Sequence, residues 1–420
     1  MVISWIISSR LIPLRGISPL CSAPRTMSTI RWTISPKFLL LTLSHFIAIE
    51  KDGEATQQFG RQGIKVLANL QRRAYREGAY VALKISIAET GHNWNTREFQ
   101  TMKELASHHP CPKHTVQMLD DFDLNGPNGS HKCLVYELLG PNVLGTIHAH
   151  FPDGRLPGKL AKGIAKQCLI GLDSLHQRKI GHGGKSLSWK YFQDLHTRNL
   201  AFTIPLIDDL SEERFTEMLG KPEIGYVQNR DGKFLEPGVP EYIVRPTSYS
   251  TYSWNMAQTV KIIDFGESFL RTTVPETLHT PLSLRAPEVI FQDRIDYRVD
   301  LWSMGCMLFE LFLGQPPFDT FLITPAILVG QMREMVTDDL PERWKEKWDT
   351  MNAGNGIAIE STGPNLQNWL EEVYFDSRLN PDLTREDIVR LGHIIGRLLH
   401  FEPSARASAR QVLNDPWFNE

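Results

Sequence analysis

The sequence predicts an α+β fold of two lobes, a small strand-rich one followed by a larger helical one. Two observations predict it. Before residue 138 the apolar segments are short and end at turn residues, as strands do. Beyond Pro141 the apolar residues recur every three or four positions, as they do on one face of a helix. No internal repeat interrupts that order.

Taken in order, 64–70 (IKVLANL) alternates loosely and 80–87 (YVALKISI) reads as a buried strand. Residues 95–105 predict a helix, since Phe99, Met102 and Leu105 share a face and Asn95 or Thr96 can cap it. Residues 132–138 (KCLVYEL) read as another strand, ended by Gly140-Pro141. Leu160, Ile164, Cys168, Leu172 and Leu175 then mark a long amphipathic helix. A short strand is expected over 260–263. Residues 300–313 are apolar nearly all round and predict a buried helix, and 388–399 an amphipathic one.

The 420 residues are 41% hydrophobic and 22% charged, which excludes a wholly disordered chain. The net charge of -3 gives no global pull toward nucleic acid or anionic membrane, and no direct nucleic-acid partner is expected. No apolar run reaches the roughly 18–20 residues that would span a bilayer, so no transmembrane segment is expected. Cys21, Cys111, Cys133, Cys168 and Cys306 are scattered without a C-x-x-C pair, as expected of reduced thiols in the cytoplasm or nucleus. Residues 1–49 stand apart. They hold no Asp or Glu, but carry Arg10, Arg15, Arg25, Arg31, Lys37 and eight serines. This is the composition of a mitochondrial transit peptide, or of a mispredicted leader; both readings stay open, and the segment is left out of the fold assignment.

The chemistry-bearing residues form an ordered series. Val81-Ala82-Leu83-Lys84 sets a lysine on a strand. Glu137 to Leu139 follow the next strand. After the long helix come His182-Gly183 and Asp194-Leu195-His196-Thr197-Arg198-Asn199. Asp264-Phe265-Gly266 follows a strand, then Ala286-Pro287-Glu288, then Asp300-Leu301-Trp302-Ser303-Met304-Gly305, and finally Arg406. In this order and context the set resembles the eukaryotic protein kinase signature over residues 64–420.

The resemblance implies a bilobal protein kinase-like fold, with an N-lobe at 50–137 and a C-lobe at 138–420, and a monomer. It implies ATP and Mg²⁺ as cofactors, with ATP between the lobes and its adenine on the backbone near Glu137 and Leu139. Lys84 would neutralise the α- and β-phosphates, held by Glu98. Asp194 would accept the substrate hydroxyl's proton, His196 would lie near the γ-phosphate, and Asn199 and Asp264 would hold Mg²⁺ through oxygen ligands. Glu288 and Arg406 would form a buried ion pair under the activation segment, and Asp300 would brace the catalytic loop. Plainer readings stand beside these. Glu98 is also a solvated helix carboxylate, Asp264 a turn residue before glycine, and Asp300 an acid at the positive end of a helix dipole.

Asn199 and Asp264 lie 65 positions apart, with an insert at about 203–258. That insert resembles the SR-protein kinases (SRPK), more closely those of fungi, and implies Arg-Ser-rich protein substrates. The insert itself reads as a mobile loop. Acidic residues in it (Asp208, Asp209, Glu212, Glu213), or Asp338, Asp339, Glu371 and Glu372 beyond it, would dock such substrates, or would simply be solvated. Gly183 stands where the family's loop carries arginine. A phosphate on the activation segment would then lack its partner, so Thr272, Thr273, Thr277 and Thr280 are expected to be ordinary surface hydroxyls.

The pattern is broken in three places. Gln71 and Arg73 stand where the phosphate-cradling glycines belong, and one strand is missing before Lys84. Residues 184–193 (GKSLSWKYFQ) interrupt the catalytic loop, as a misjoined exon would. His196 replaces a lysine. Besides the active kinase, two functions therefore stay open: a pseudokinase scaffold with impaired nucleotide binding, and a small-molecule phosphotransferase.

Overall fold

The computed structural model describes residues 17–19, 81–86, 96–108, 110–126, 129–184, 197–204, 214, 217, 224–229, 242–244, 259–280, 282–318, 323–353 and 365–420. The predicted strand at 64–70, Gln71, Arg73, the 185–193 interruption, Asp194, His196 and the insert acids Asp208, Asp209, Glu212 and Glu213 lie outside them. The chain divides into two compact units, 1–95 with 117–141 and 203–258, and 96–116 with 142–202 and 259–420.

In the first unit, strand β1 is Ile17–Pro19, β2 Val81–Ile85, β3 Met118–Gly126 and β4 Gly129–Glu137. β4 lies between β2 and β3, antiparallel to both, and Lys84 pairs with Leu134. Leu83, Cys133, Val135 and Tyr136 are buried. β3 (MLDDFDLNG) has no counterpart in the sequence reading, because aspartates disfavour strands. Its aspartates are answered across the hairpin, where the Lys132 ammonium lies 2.6 Å from Asp121 and 3.1 Å from Asp123.

The insert is more than the loop expected. It carries β7 (Ile224–Asn229) paired with β8 (Tyr242–Val244), both rich in β-branched and aromatic residues. β1, from the segment left out of the sequence assignment, pairs with the other edge of β7, its Pro19 at an edge where no amide is needed.

In the second unit the order is α1 (Arg97–Ser107), α2 (Val143–His150), α3 (Gly158–Gln177), β5 (Ile180–Gly181), β6 (Leu200–Phe202), β9 (Val260–Ile262) and β10 (Phe269–Leu270). Then follow α4 (Pro287–Ile290), α5 (Val299–Leu313), α6 (Pro325–Met335), α7 (Glu342–Ala353), α8 (Leu366–Tyr374), α9 (Arg385–Gly396) and α10 (Ala409–Leu413). Thr96, not Asn95, caps α1, its hydroxyl accepting from the Phe99 amide. Every residue of α5 is buried, which is why its apolar pattern has no polar face. α3, α8 and α9 pack around it.

Two glycines of α3 face different surroundings. A Cβ on Gly171 would stand 2.8 Å from the His114 carbonyl oxygen, whereas one on exposed Gly163 would meet nothing within 4 Å. Gly171→Val is expected to destabilise by about 1–3 kcal/mol through forced displacement of backbone. Gly163→Ala is expected to stabilise by about 0.5–1 kcal/mol by lowering the entropy lost on folding. Urea midpoints of both variants check the opposite signs.

Candidate active site

The site in the second unit is organised from the start of α5. Asp300, in its first turn, is buried. One carboxylate oxygen accepts from the His182 amide at 2.8 Å, the other from the Gly183 amide at 2.9 Å, and the His176 imidazole Nε2 lies 3.0 Å away. The two plainer and functional readings of Asp300 therefore coincide: it meets the helix dipole and it also ties down the loop. His182 passes this order on. Its Nε2 lies 3.1 Å from the Ile263 carbonyl, and its ring meets Phe265 edge-on at 4.9 Å.

β6 and β9 bring the two metal candidates together. Leu200 pairs with Ile262, and the Ile263 amide donates to the Asn199 carbonyl at 2.9 Å. Asn199 and Asp264, far apart in sequence, thus flank the same end of a two-stranded ladder, and both are buried. Asp264 has φ 62°, a left-handed conformation that costs a non-glycine residue of order 1–3 kcal/mol and persists only where its surroundings impose it. They do so here: Ile263 is held by His182 and Asn199, and the Phe265 carbonyl accepts from the Ser268 amide and hydroxyl.

Glu288 and Arg406 meet in a bidentate pair, both contacts 2.7 Å and both side chains at most 1% exposed. Two further guanidinium donors go to the His400 and Arg298 carbonyls, and the guanidinium lies over Trp302 at 5.4 Å. Every charge in this buried pair has a partner, the condition under which burial is tolerated.

In the first unit Lys84 is a buried strand residue. The Glu137 carboxylate accepts from the Gln117 amide at 2.8 Å while its own amide donates to the Gln117 carbonyl. Leu139 is buried. Glu98 sits in the first turn of α1, whose Met102 and Leu105 are buried.

Two sequence expectations are corrected. Thr280 is not a surface hydroxyl: it is buried, and its carbonyl receives two donors from Arg285. Of the acidic residues offered for docking, Asp338 caps the Phe401 and Glu402 amides and Glu371 pairs with Arg385, so neither is simply solvated.

The sequence reading passed over Glu267, Arg97 and Glu310, which belong to no motif. Glu310 accepts from the Thr197 hydroxyl at 2.8 Å, beside Asn199, while its second oxygen is buried without a partner among the described residues. Burial pushes its carboxyl up to about 7, against the pull of the Thr197 hydrogen bonds.

Comparison with known proteins agrees with this geometry. Residues 253–418 match the family described as the protein kinase domain. The chain is 42% identical to protein kinase dsk1 of Schizosaccharomyces pombe over 77% of its own length and 72% of that protein. It is 28% identical to the serine/threonine-protein kinase SRPK of Physarum polycephalum, over 81% of this chain and 80% of the other. A serine/threonine protein kinase of Aspergillus fumigatus is 27% identical over 82% and 79%. Together the fold and the comparisons define a protein kinase. The chain belongs to the eukaryotic protein kinase superfamily, as an SRPK-like serine/threonine kinase.

Glu310 gives a pH prediction. Its folded pKa, about 7, is raised above the ordinary 4.5, so its stabilising contribution is whole below 4.5 and is lost as pH rises through 7. Between pH 4.5 and 8 the wild type should lose about 3 kcal/mol more than Glu310→Gln. Denaturant unfolding at a series of pH values checks this; parallel curves for the two proteins would contradict it.

Proposed function

We propose that the protein transfers the γ-phosphate of ATP to serine or threonine hydroxyls of Arg-Ser-rich proteins. The observation that supports this most is the side-by-side placement of Asn199 and Asp264 at one end of the β6–β9 ladder. An amide oxygen and a carboxylate are hard donors that suit Mg²⁺, which keeps waters and phosphate oxygens as its other ligands. Among the described residues no cluster of three His, Cys, Asp or Glu offers a transition metal a complete site. Mg²⁺, when bound, would neutralise phosphate charge.

The chain's own residues would do the rest. Lys84 would meet the α- and β-phosphates and Glu98 would hold that lysine. Asp194 would take the proton from the attacking hydroxyl as the new O–P bond forms and ADP departs. His196 would lie by the γ-phosphate. Such chemistry needs positioning and charge more than covalent participation.

Asp339 and Glu372, both exposed, remain for docking a basic substrate. The compartment that goes with this reading is the cytoplasm or the nucleus. Among the described residues no helix is long and apolar enough to cross a membrane.

Turnover of an Arg-Ser peptide with Mg-ATP tests the proposal. Asp264→Asn is expected to lower kcat by at least about a hundredfold, since charge stabilisation is the main catalytic term. Unchanged turnover in that variant, or none in the wild type, would sink it; a wild type that also shows no thermal shift with millimolar Mg-ATP would be a scaffold.

Independence from activation-segment phosphorylation is a second expectation. Gly183 has φ 71°, and a Cβ there would stand 2.4 Å from the Glu267 carbonyl oxygen, so the loop has no room for an arginine. The triple variant Thr272→Ala, Thr273→Ala, Thr277→Ala, confined to exposed hydroxyls, should keep kcat within about threefold of wild type, because a phosphate here has no loop guanidinium to dock on.

A further inference from the structure

Glu267 directly follows Asp264-Phe265-Gly266 and is buried. Its Oε2 accepts from Arg97 Nη2 at 2.7 Å and lies 3.3 Å from His279 Nδ1. Arg97 is the first residue of α1, one position before Glu98. A cation there opposes the helix dipole, so helix stability does not account for it. Its Nη1 is buried without a partner among the described residues, while its Nη2 meets Glu267. His279 lies on the segment between Gly266 and Glu288, and α1 packs against β10 of that same segment. Through its backbone, Glu267 also touches the loop, because its carbonyl oxygen fills the space beside Gly183.

We propose that Glu267 is a positioning residue, a fixed anion that holds the first turn of α1 and the 269–280 segment in place through Arg97 and His279. It supplies permanently the negative charge that a phosphate would supply conditionally. Glu98 and Asp264 are the side chains it holds in place, one on α1 and the other three residues upstream. The catalytic consequence rests on the phosphotransfer reading; the structural one does not.

The test uses the full chain as Glu267→Gln, Arg97→Ala and the double variant, with peptide kinetics and amide hydrogen exchange. Each single variant should lower kcat by about tenfold or more, with the peptide KM within about threefold, and speed exchange in 97–107 and 269–280 while 385–396 is unchanged. Because each single change strands the other charge, the double variant should be no worse than the worse single one. If Glu267→Gln does not fold, Arg97→Lys carries the comparison: it keeps the charge without the planar fork and should fall between wild type and Arg97→Ala.

Unchanged exchange in 97–107 in a folded Glu267→Gln, or single effects that multiply in the double variant, would overturn the proposal. A wild type without turnover whose variants still show the exchange changes would refute the phosphotransfer reading and leave the anchor standing. Normal turnover with unaltered exchange would refute the anchor alone.

Discussion

The site depends on one buried carboxylate. Asp300 is 1% exposed, and a polar group at that depth is tolerable only if its oxygens are occupied. Two backbone amides and an imidazole occupy them. The amides belong to consecutive residues, His182 and Gly183, so the hydrogen bonds fix the peptide plane between them as well as its position. From that plane the order spreads outward: His182 reaches the Ile263 carbonyl, and Ile263 precedes the strained Asp264. A left-handed aspartate relaxes unless both of its flanks are held, and here the strand before it and the turn after it are both hydrogen-bonded.

α5 is a suitable base for this because it is enclosed along its whole length. All its residues are buried, and it supplies Asp300 from its first turn and Glu310 nearly three turns on. The two acids are held differently. Asp300 has a donor on each oxygen, the His182 and Gly183 amides, with the His176 imidazole beside them. Glu310 has the Thr197 hydroxyl on one oxygen and none on the other among the described residues, so burial wins and its carboxyl titrates near neutrality. Arg406 is a third case, a cation whose donors are taken by a carboxylate and two carbonyls. The three differ in how many of their polar atoms find partners in the interior, which sets what burial costs each.

Much of this was legible in the sequence, and what was not has physical reasons. The helices at 97–107, 158–177 and 299–313 follow from apolar spacing, because their stability comes from one buried face or from complete burial. β3 was invisible because what offsets its aspartates, Lys132, lies on the next strand. The β7–β8 hairpin was hidden in a stretch whose prolines and acids read as loop. Thr280 was misread because its burial is set by the segment's path, not by its neighbours in sequence. Asp338 looks like a free acid until the Phe401 and Glu402 amides, more than sixty residues away, arrive to be capped. Residue identity announces motifs; pairing across long separations decides what the remaining polar groups do.

Gly183 and Glu267 show such pairing at its closest. The glycine's missing Cβ leaves the space in which the Glu267 carbonyl oxygen sits, and a side chain at 183 would have to displace it. Displacing that carbonyl moves the residue whose carboxylate meets Arg97. An arginine could therefore not be restored to the loop by a single substitution: it would supply a new cation while pulling away the buried anion already in use. The two ways of ordering the segment, by a loop cation awaiting a phosphate or by a fixed carboxylate, exclude each other sterically. A phosphate can be removed and leaves its cation solvated, whereas Glu267 cannot leave, and losing Arg97 would strand its charge out of water. The fixed anion thus exchanges switchability for constant order, and the choice is set at the backbone, in one glycine with a positive φ.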